Sequence, residues 1–502
     1  MPEKIKNVFI LMLENHSFDN IFGRSGIPGI NGLTGNETNS YNGNSYPVTQ
    51  FTWDRMPSDP GHEFLDTLEQ LCGQDNWCRA WQPGDTYPPP GHTIDNSGFV
   101  ANYATSITEQ TKIVHTSPPP LIDIGDVMSY FDTATQLPAI YELATQFAVC
   151  DNWFSSLPGP TWPNRFFAYA ASSGSMDDSP SGFEQIMHER FKGYSFPHGS
   201  IFDLLKKGNY RLYQDKYSKL SFPIVQALKN IHWSELNDVS SFAEDLKKDY
   251  HYPLTLIEPN YGDIFFDTYR GGSSQHPMDG MHNGEALIKT VYEAIYNSPV
   301  WENSLLIITY DEHGGFYDHV APPQAPKPED GATGLSKHGF DFSRYGVRVP
   351  AVIVSPYIPA NTVSNVLYDH SSMIKTVTEN WGLPSLTNRD KLANSLSPLL
   401  TLDKPRDKSD CPSSLKLAPD AETSNFVITQ EKLALLDNMP LPDSGNTLGF
   451  LQIAIKVDYE LGLQTETNSY TQNTVKNPST MGNAGRYINS VLEKLQSAIK
   501  AK

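Results

Sequence analysis

Asp311 and Glu312 stand side by side at the end of the uncharged run Leu305-Leu-Ile-Ile-Thr-Tyr310, and a glycine pair, Gly314-Gly315, follows two residues later. Two adjacent carboxylates repel each other unless a cation, a proton or a basic side chain holds them together. Glu14 and Asn15 close a second apolar run, Val8-Phe-Ile-Leu-Met-Leu13, in the same manner. Three carboxylates and an amide suit a divalent metal ion of hard, oxygen-seeking character, its identity open, or a mixed site if a histidine joins. The plainer alternative for such an end is a solvated turn that happens to be acidic.

Thr161, in Leu157-Pro-Gly-Pro-Thr-Trp-Pro-Asn-Arg-Phe-Phe167, is the candidate nucleophile. The prolines stiffen a turn, and Pro163 suits the first turn of a helix, which puts Thr161 at or just before a helix N-terminus. A helix N-terminus and a nearby metal both favour the alkoxide. Backbone N–H groups there, with Asn164 and Arg165, would hold a phosphate or another oxyanion. The plainer role is a capping threonine in a rigid turn. A leaving group needs a proton donor, and His62, His276, His313, His319 and His370 all fall in polar loop contexts. His276 is the first choice, with His62 and His370 beside it. Trp162 could cage a quaternary ammonium group or simply pack in the core.

These groups matter only if the chain brings them together. Val8–Leu13 and Leu305–Thr309 read as buried central strands of a parallel sheet, and ligands of such sheets sit beyond the carboxyl ends of the strands. If both lie in one sheet, Glu14, Asn15, Asp311 and Glu312 share one edge. Further strands are expected at Phe147–Asp151, Tyr210–Tyr213, Leu254–Ile257 and Val349–Ser355. Helices are expected over Gly61–Leu71, Ile140–Ala148, Ile201–Lys207, Trp233–Leu246, Gly284–Asn297 and the segment after Tyr368. Asn31–Gln50 reads as a surface loop. After about Thr401 a Lys/Asp/Pro/Ser patch precedes helical segments at Gln430–Leu436, Thr447–Leu461 and Ala484–Ala501. The expected division is therefore a catalytic domain over 1–400 and a C-terminal accessory helical region over 401–502.

At 502 residues, 38% hydrophobic and 19% charged, the chain is globular and can bury a large core. Its net charge of −20 argues against a nucleic-acid partner but leaves an anionic substrate open, since a local metal or arginine can override the global field. Cys72 and Cys78 are close enough to bridge if the protein is exported, while reduced thiols are at least as consistent with four cysteines. No window approaches a transmembrane span, and Val8–Leu13 is short for a signal-peptide core. The expectation is a cytoplasmic protein, one exported without a cleaved signal, or a processed form.

Several longer motifs recur in order: Met12-Leu-Glu-Asn-His-Ser-Phe-Asp-Asn20, Gly61-His-Glu-Phe64, Pro158-Gly-Pro-Thr-Trp-Pro-Asn-Arg165, Gln275-His-Pro277, Thr309-Tyr-Asp-Glu-His-Gly-Gly-Phe-Tyr-Asp-His319 and Tyr368-Asp-His370. With them the chain resembles the phosphoesterase family of bacterial phospholipases C, plant non-specific phospholipases C and related acid phosphatases. The resemblance runs from residue 8 to roughly 390 and implies an alkaline-phosphatase-like α/β sandwich, a central mostly parallel sheet flanked by helices. It also implies hydrolysis through a phosphothreonine on Thr161, with Glu14, Asn15, Asp311 and Glu312 as metal or proton-network residues. His62, His276 and His370 match family active-site histidines, whereas the family often has Arg where this chain has His16. The substrate would be a phospholipid, with transient contact at a membrane surface, or a phosphomonoester. An inactive phosphate- or lipid-binding protein on the same fold, and a sulfate-ester hydrolase, are the remaining alternatives; oligomeric state is left open.

Overall fold

The computed structural model describes residues 4–114, 123–181, 191–217, 219–264, 269–419, 434, 436–464 and 478–501. At its centre are two seven-residue strands, β1 (Asn7–Leu13) and, far along the chain, Ser304–Tyr310, buried at every position. Apolar residues on both faces of a strand require cover on both sides, which is the condition of a central strand in an α/β sheet. Six more strands complete the sheet: β2 (Ala148–Cys150), β3 (Tyr210–Gln214), β4 (Leu236–Asp238), β5 (Leu254–Glu258), β7 (Ala351–Val354) and β8 (Thr362–Ser364), with Ser304–Tyr310 as β6. Their spatial order is β8-β2-β7-β6-β1-β5-β3-β4. Strand β7 runs antiparallel to both its neighbours; every other pairing is parallel.

The register of the central pair is what places the site. Leu13 lies opposite Tyr310 and Met12 opposite Thr309, so Glu14 and Asp311 leave the sheet side by side. The expected convergence of the two polar ends on one edge is therefore present.

Flanking the sheet are α1 (Phe64–Cys72), α2 (Pro138–Gln146), α3 (Thr161–Ala170), α4 (Met281–Tyr296) and α5 (Ser371–Trp381). The architecture is of the expected α/β class, a mostly parallel sheet with helices packed on it. Two local expectations are corrected. Trp233–Leu246 is not one helix: it splits into short 3-10 turns, edge strand β4 and a four-residue helix, because β4 finds hydrogen bonds beside β3. Asn31–Gln50 holds a two-stranded hairpin, Thr38–Tyr41 with Asn44–Pro47. All four cysteines are free thiols, the reduced one of the two alternatives left open for Cys72 and Cys78.

The C-terminal helices α6 (Asn446–Gln464) and α7 (Met481–Lys500) pack on each other and on the body of the protein. Polar side chains along α6 anchor it. Gln452 accepts from the Tyr194 hydroxyl at 2.5 Å, and Lys456 Nζ donates to the Ile231 carbonyl. Glu460 accepts from the Trp233 N–H at 3.1 Å. The helix expected at Gln430–Leu436 lies largely outside the described residues. Among the described residues no helix is long and apolar enough to cross a membrane.

Candidate active site

Thr161 is the first residue of α3, entered from Pro160 in extended conformation. Its side chain is buried, and Oγ1 donates to Asn15 Oδ1 at 3.4 Å. Asn15 has a left-handed backbone, φ +63°, which Asn tolerates better than most residues. Its N–H donates to Asp311 Oδ1 at 3.3 Å, while its Nδ2 has no hydrogen-bond partner among the described residues. The nucleophile candidate and two of the expected strand-end groups are thus joined in one chain of contacts.

Asp311 is held on all sides. Arg165 Nε donates to its Oδ2 at 2.8 Å, and the Glu312 N–H donates to Oδ1 at 2.8 Å. Burial raises the Asp311 carboxyl to about 7, with Arg165 opposing and Glu312 adding to the rise. Glu14 is pushed well above the ordinary carboxylate range, first by burial and then by the Asp311 charge. The cluster carries more negative charge than one buried arginine balances.

Asn164 and Arg165, expected to hold a phosphate, both make contacts within the protein. Asn164 turns back onto its own loop: Oδ1 accepts from the Leu157 N–H at 3.1 Å, and Nδ2 donates to the Gly159 carbonyl at 2.9 Å and the Pro160 carbonyl at 3.1 Å. It staples the turn that presents Thr161. Arg165 reaches under the sheet edge, where Nη2 donates to the Leu13 carbonyl at 3.1 Å and Nη1 lies 3.9 Å from Glu258. Its guanidinium ties α3 to β1 and β6, while Nη1 has no hydrogen-bond partner among the described residues.

His370 likewise makes its contacts within the protein. Its Nε2 donates to the Asp311 carbonyl at 2.6 Å and Nδ1 accepts from Trp153 Nε1 at 3.4 Å, so neither nitrogen is left for a leaving group. Burial lowers it to about 4, in keeping with a neutral ring that fixes the Asp311 backbone. Asp369 does not orient it; that carboxylate accepts from Ser156 at 2.8 Å and pairs with Arg389.

His62 and His276 do come together, with ring centroids 5.9 Å apart. His62 Nδ1 donates to the Pro60 carbonyl at 2.9 Å, which leaves Nε2 as the free end of the ring. Burial opposes its charge, but Glu312, Asp59 and Glu63 together lift it to about 10. His276 is driven well below its usual value, first by burial and then by His62. It stacks face to face on Tyr269, centroids 3.6 Å apart, and neither of its nitrogens has a hydrogen-bond partner among the described residues. Asp59, 3.8 Å from His276 Nε2, belongs to this group and escaped the sequence reading, because its Pro-Ser-Asp-Pro context carries no periodic signal.

Two places fit a cation. Buried Glu14 Oε2 and Glu312 Oε1 have no hydrogen-bond partner among the described residues, and a bare carboxylate oxygen in such surroundings asks for a cation or a proton. Separately, one ligand atom from each of Asp59, His62 and His276 lies within 4.8 Å of the others. The similar grouping of Asp19, Asp318 and His319 is already served by Arg348, which donates to both carboxylates at 3.0 and 2.9 Å. His313 and His319 are accounted for by Gln70 and Asp19, each at under 3 Å. Trp162 is fully buried beneath α6, its Nε1 donating to Asn446 Oδ1 at 2.8 Å, and so cannot cage a head group.

A hydroxyl at a helix N-terminus, set against buried carboxylates beyond the ends of a mostly parallel sheet, is an arrangement suited to the hydrolysis of phosphoric esters. The chain belongs to the phosphoesterase family, whose model matches residues 5–384 and so stops before α6 and α7. It is similar to non-specific phospholipase C6 of Arabidopsis thaliana, 36% identical over 441 residues, covering 83% of this chain and 76% of that protein. With non-specific phospholipase C4 of the same plant it is 30% identical, covering 99% of this chain and 87% of the relative. A non-hemolytic phospholipase C of Burkholderia pseudomallei is 25% identical over 74% of this chain and 54% of its own length.

Proposed function

We propose that the chain is a phospholipase C that cleaves glycerophospholipids into diacylglycerol and a phosphorylated head group. The observation that carries this is the Thr161 hydroxyl, held by Asn15 beside Glu14, Asp311 and Glu312. Relatives that carry the phospholipase C name, over most of this chain, support a lipid diester over a small monoester.

Thr161 Oγ1 passes its proton to the carboxylates of Glu14 and Glu312 and attacks phosphorus in line, the bond from phosphorus to the glyceride oxygen breaks, and that oxygen leaves with a proton. The proton comes from His62 rather than His276. His62 is surrounded by the carboxylates of Asp59, Glu63 and Glu312, while the ring of His276 is kept neutral. Asn15 Nδ2 is the donor left for an equatorial phosphoryl oxygen. Water then attacks the phosphothreonine and gives a proton to His62, the P–Oγ1 bond breaks, and Thr161 takes back the proton held on the carboxylates as the head-group phosphate departs. Asp311 is occupied by Arg165 and two backbone N–H groups, so Glu14 and Glu312, with Asn15, are the residues that would hold a divalent cation. Such a cation supplies positive charge that lowers the hydroxyl pKa and offsets charge on the phosphoryl oxygens. Lipid reaches the site through transient contact with a membrane surface.

Purified protein offered phosphatidylcholine and an aryl phosphate tests the reading. Diacylglycerol and phosphocholine as main products, with acid-stable phosphate on Thr161 after quenching, are expected. Preferential turnover of the aryl phosphate would make it an acid phosphatase, and binding without turnover of either would make it an inactive family member.

A further inference from the structure

Helix α6 begins at Asn446, outside the stretch matched by the family model, yet its first turn reaches the active site from two directions. Asn446 Oδ1 accepts from Nε1 of Trp162, the residue that follows the nucleophile Thr161. Asn446 Nδ2 donates to the hydroxyl of Tyr269, the ring stacked at 3.6 Å on His276. Thr447 Oγ1 donates to the Ile264 carbonyl at 3.1 Å, fixing the same turn. Gly449 lies flat against the Trp162 indole: a Cβ there would come within 2.1 Å of a ring carbon. One residue further on, Phe450 packs on Tyr261, the ring beneath the Arg165 guanidinium.

We propose that Asn446 is a positioning residue of the phosphoryl-transfer site, holding Trp162 beside the nucleophile and Tyr269 against His276. The proposal rests on the reading of Thr161 as nucleophile. Only a side chain with an acceptor for an indole N–H and a polar partner for a phenol can serve both ends. Asn offers a carbonyl and an NH2; Asp serves equally, because a phenol hydroxyl can turn and donate to a carboxylate. Leu, of similar size, serves neither. Among the described residues nothing hydrogen-bonds to the His276 ring, so the stacked Tyr269 face defines that ring's plane. His276 packs edge-on against His62, the proton donor, with centroids 5.9 Å apart, so a shift of the Tyr269–His276 stack moves a reacting group, and a misplacement of about 1 Å can cost ~100-fold in rate.

The test is steady-state hydrolysis of phosphatidylcholine in mixed micelles by the full chain, comparing Asn446→Leu, Asn446→Asp, Tyr269→Phe and Thr161→Ala. Asn446→Leu is expected to lower kcat by ~10- to 100-fold with little change in KM. Asn446→Asp restores most of the wild-type kcat, which a residue that merely anchors a helix would not require. Tyr269→Phe, which removes a single hydroxyl, falls in between and serves if the leucine variant does not fold. Wild-type kcat in Asn446→Leu or in Tyr269→Phe overturns the proposal, as does an aspartate variant as slow as the leucine one. Thr161→Ala separates the two ideas. If it is inactive while Asn446→Leu is unimpaired, only the role of Asn446 falls; if it is active, the nucleophile reading falls and this proposal with it.

Discussion

Thr161 and Asn15 face each other across 3.4 Å, hydroxyl to amide oxygen, from the start of a helix and the end of the central strand. Neither position is adjustable on its own. Asn15 is held by its left-handed backbone and by its N–H on Asp311, while Thr161 is held by a proline-stiffened turn stapled by Asn164.

Thr161→Ala removes the attacking oxygen without opening a sizeable cavity. Turnover of phosphatidylcholine is expected to drop by several orders of magnitude, with the thermal midpoint close to wild type and no phosphate trapped on the protein. Activity near the wild-type level would end the covalent mechanism.

Gly314 supports Asn15 from behind. It adopts φ +62°, and a Cβ there would lie 2.1 Å from the Asn15 carbonyl oxygen. Gly314→Ala should cost about 1–3 kcal/mol in urea unfolding from backbone strain alone. It should also reduce kcat by shifting Asn15. An alanine variant that loses stability but keeps full activity would show that Asn15 does not have to sit where it does.

The two cation-fitting groups can be told apart by binding rather than by activity. Equilibrium dialysis of metal-stripped protein against Zn2+ or Mn2+ is expected to show tight binding in the wild type and in His276→Ala. Binding should be lost in a Glu14→Gln/Glu312→Gln double variant. The reverse pattern would move the cation to Asp59, His62 and His276.

Glu285 provides a pH test away from the chemistry. Its buried carboxylate accepts the Ala139 N–H at 2.7 Å and the Ile140 N–H at 3.2 Å, at the start of α2. Burial nevertheless raises it from 4.5 to about 8. The folded form holds this proton more firmly than the unfolded chain does. The group's contribution to stability is therefore fully present below pH 4.5 and is lost as pH rises through about 8. Glu285→Gln does not titrate, so its thermal midpoint relative to wild type should climb across that interval and then level off. A difference independent of pH would refute the assignment.

What the sequence made legible was whatever depends on local pattern. Val8–Leu13 and Leu305–Thr309 are uncharged runs that stop at polar residues, and strands buried on both faces look like that wherever they occur. Thr161 was legible because prolines mark a helix start. Direction was not legible: Val352 and Ile353 would read the same in a parallel or an antiparallel strand, and β7 is antiparallel. Nor was the reach of long side chains. Arg165 looked like an anion ligand, but its stem lets the guanidinium pass beneath the strand ends to Asp311 and the Leu13 carbonyl. His370 sits in a motif with Asp369, yet its partners, Trp153 and the Asp311 carbonyl, are remote in sequence. Asn446 has no local signature whatever, since both its partners lie on other parts of the chain.

The pairing of β1 has a bearing on biosynthesis. This strand leaves the ribosome well before its partners, since the backbone that covers its two edges is Leu254–Ile257 on one side and Ser304–Tyr310 on the other. Until translation has passed Tyr310, a nascent chain carries an apolar seven-residue segment with no native partner on one or both edges. Unpaired strands of this kind are templates for association between chains. A chaperone that shields Val8–Leu13 during synthesis, or slow translation at low temperature, should therefore raise the yield of folded protein. Fragments ending before Ser304 should aggregate even though they contain Thr161.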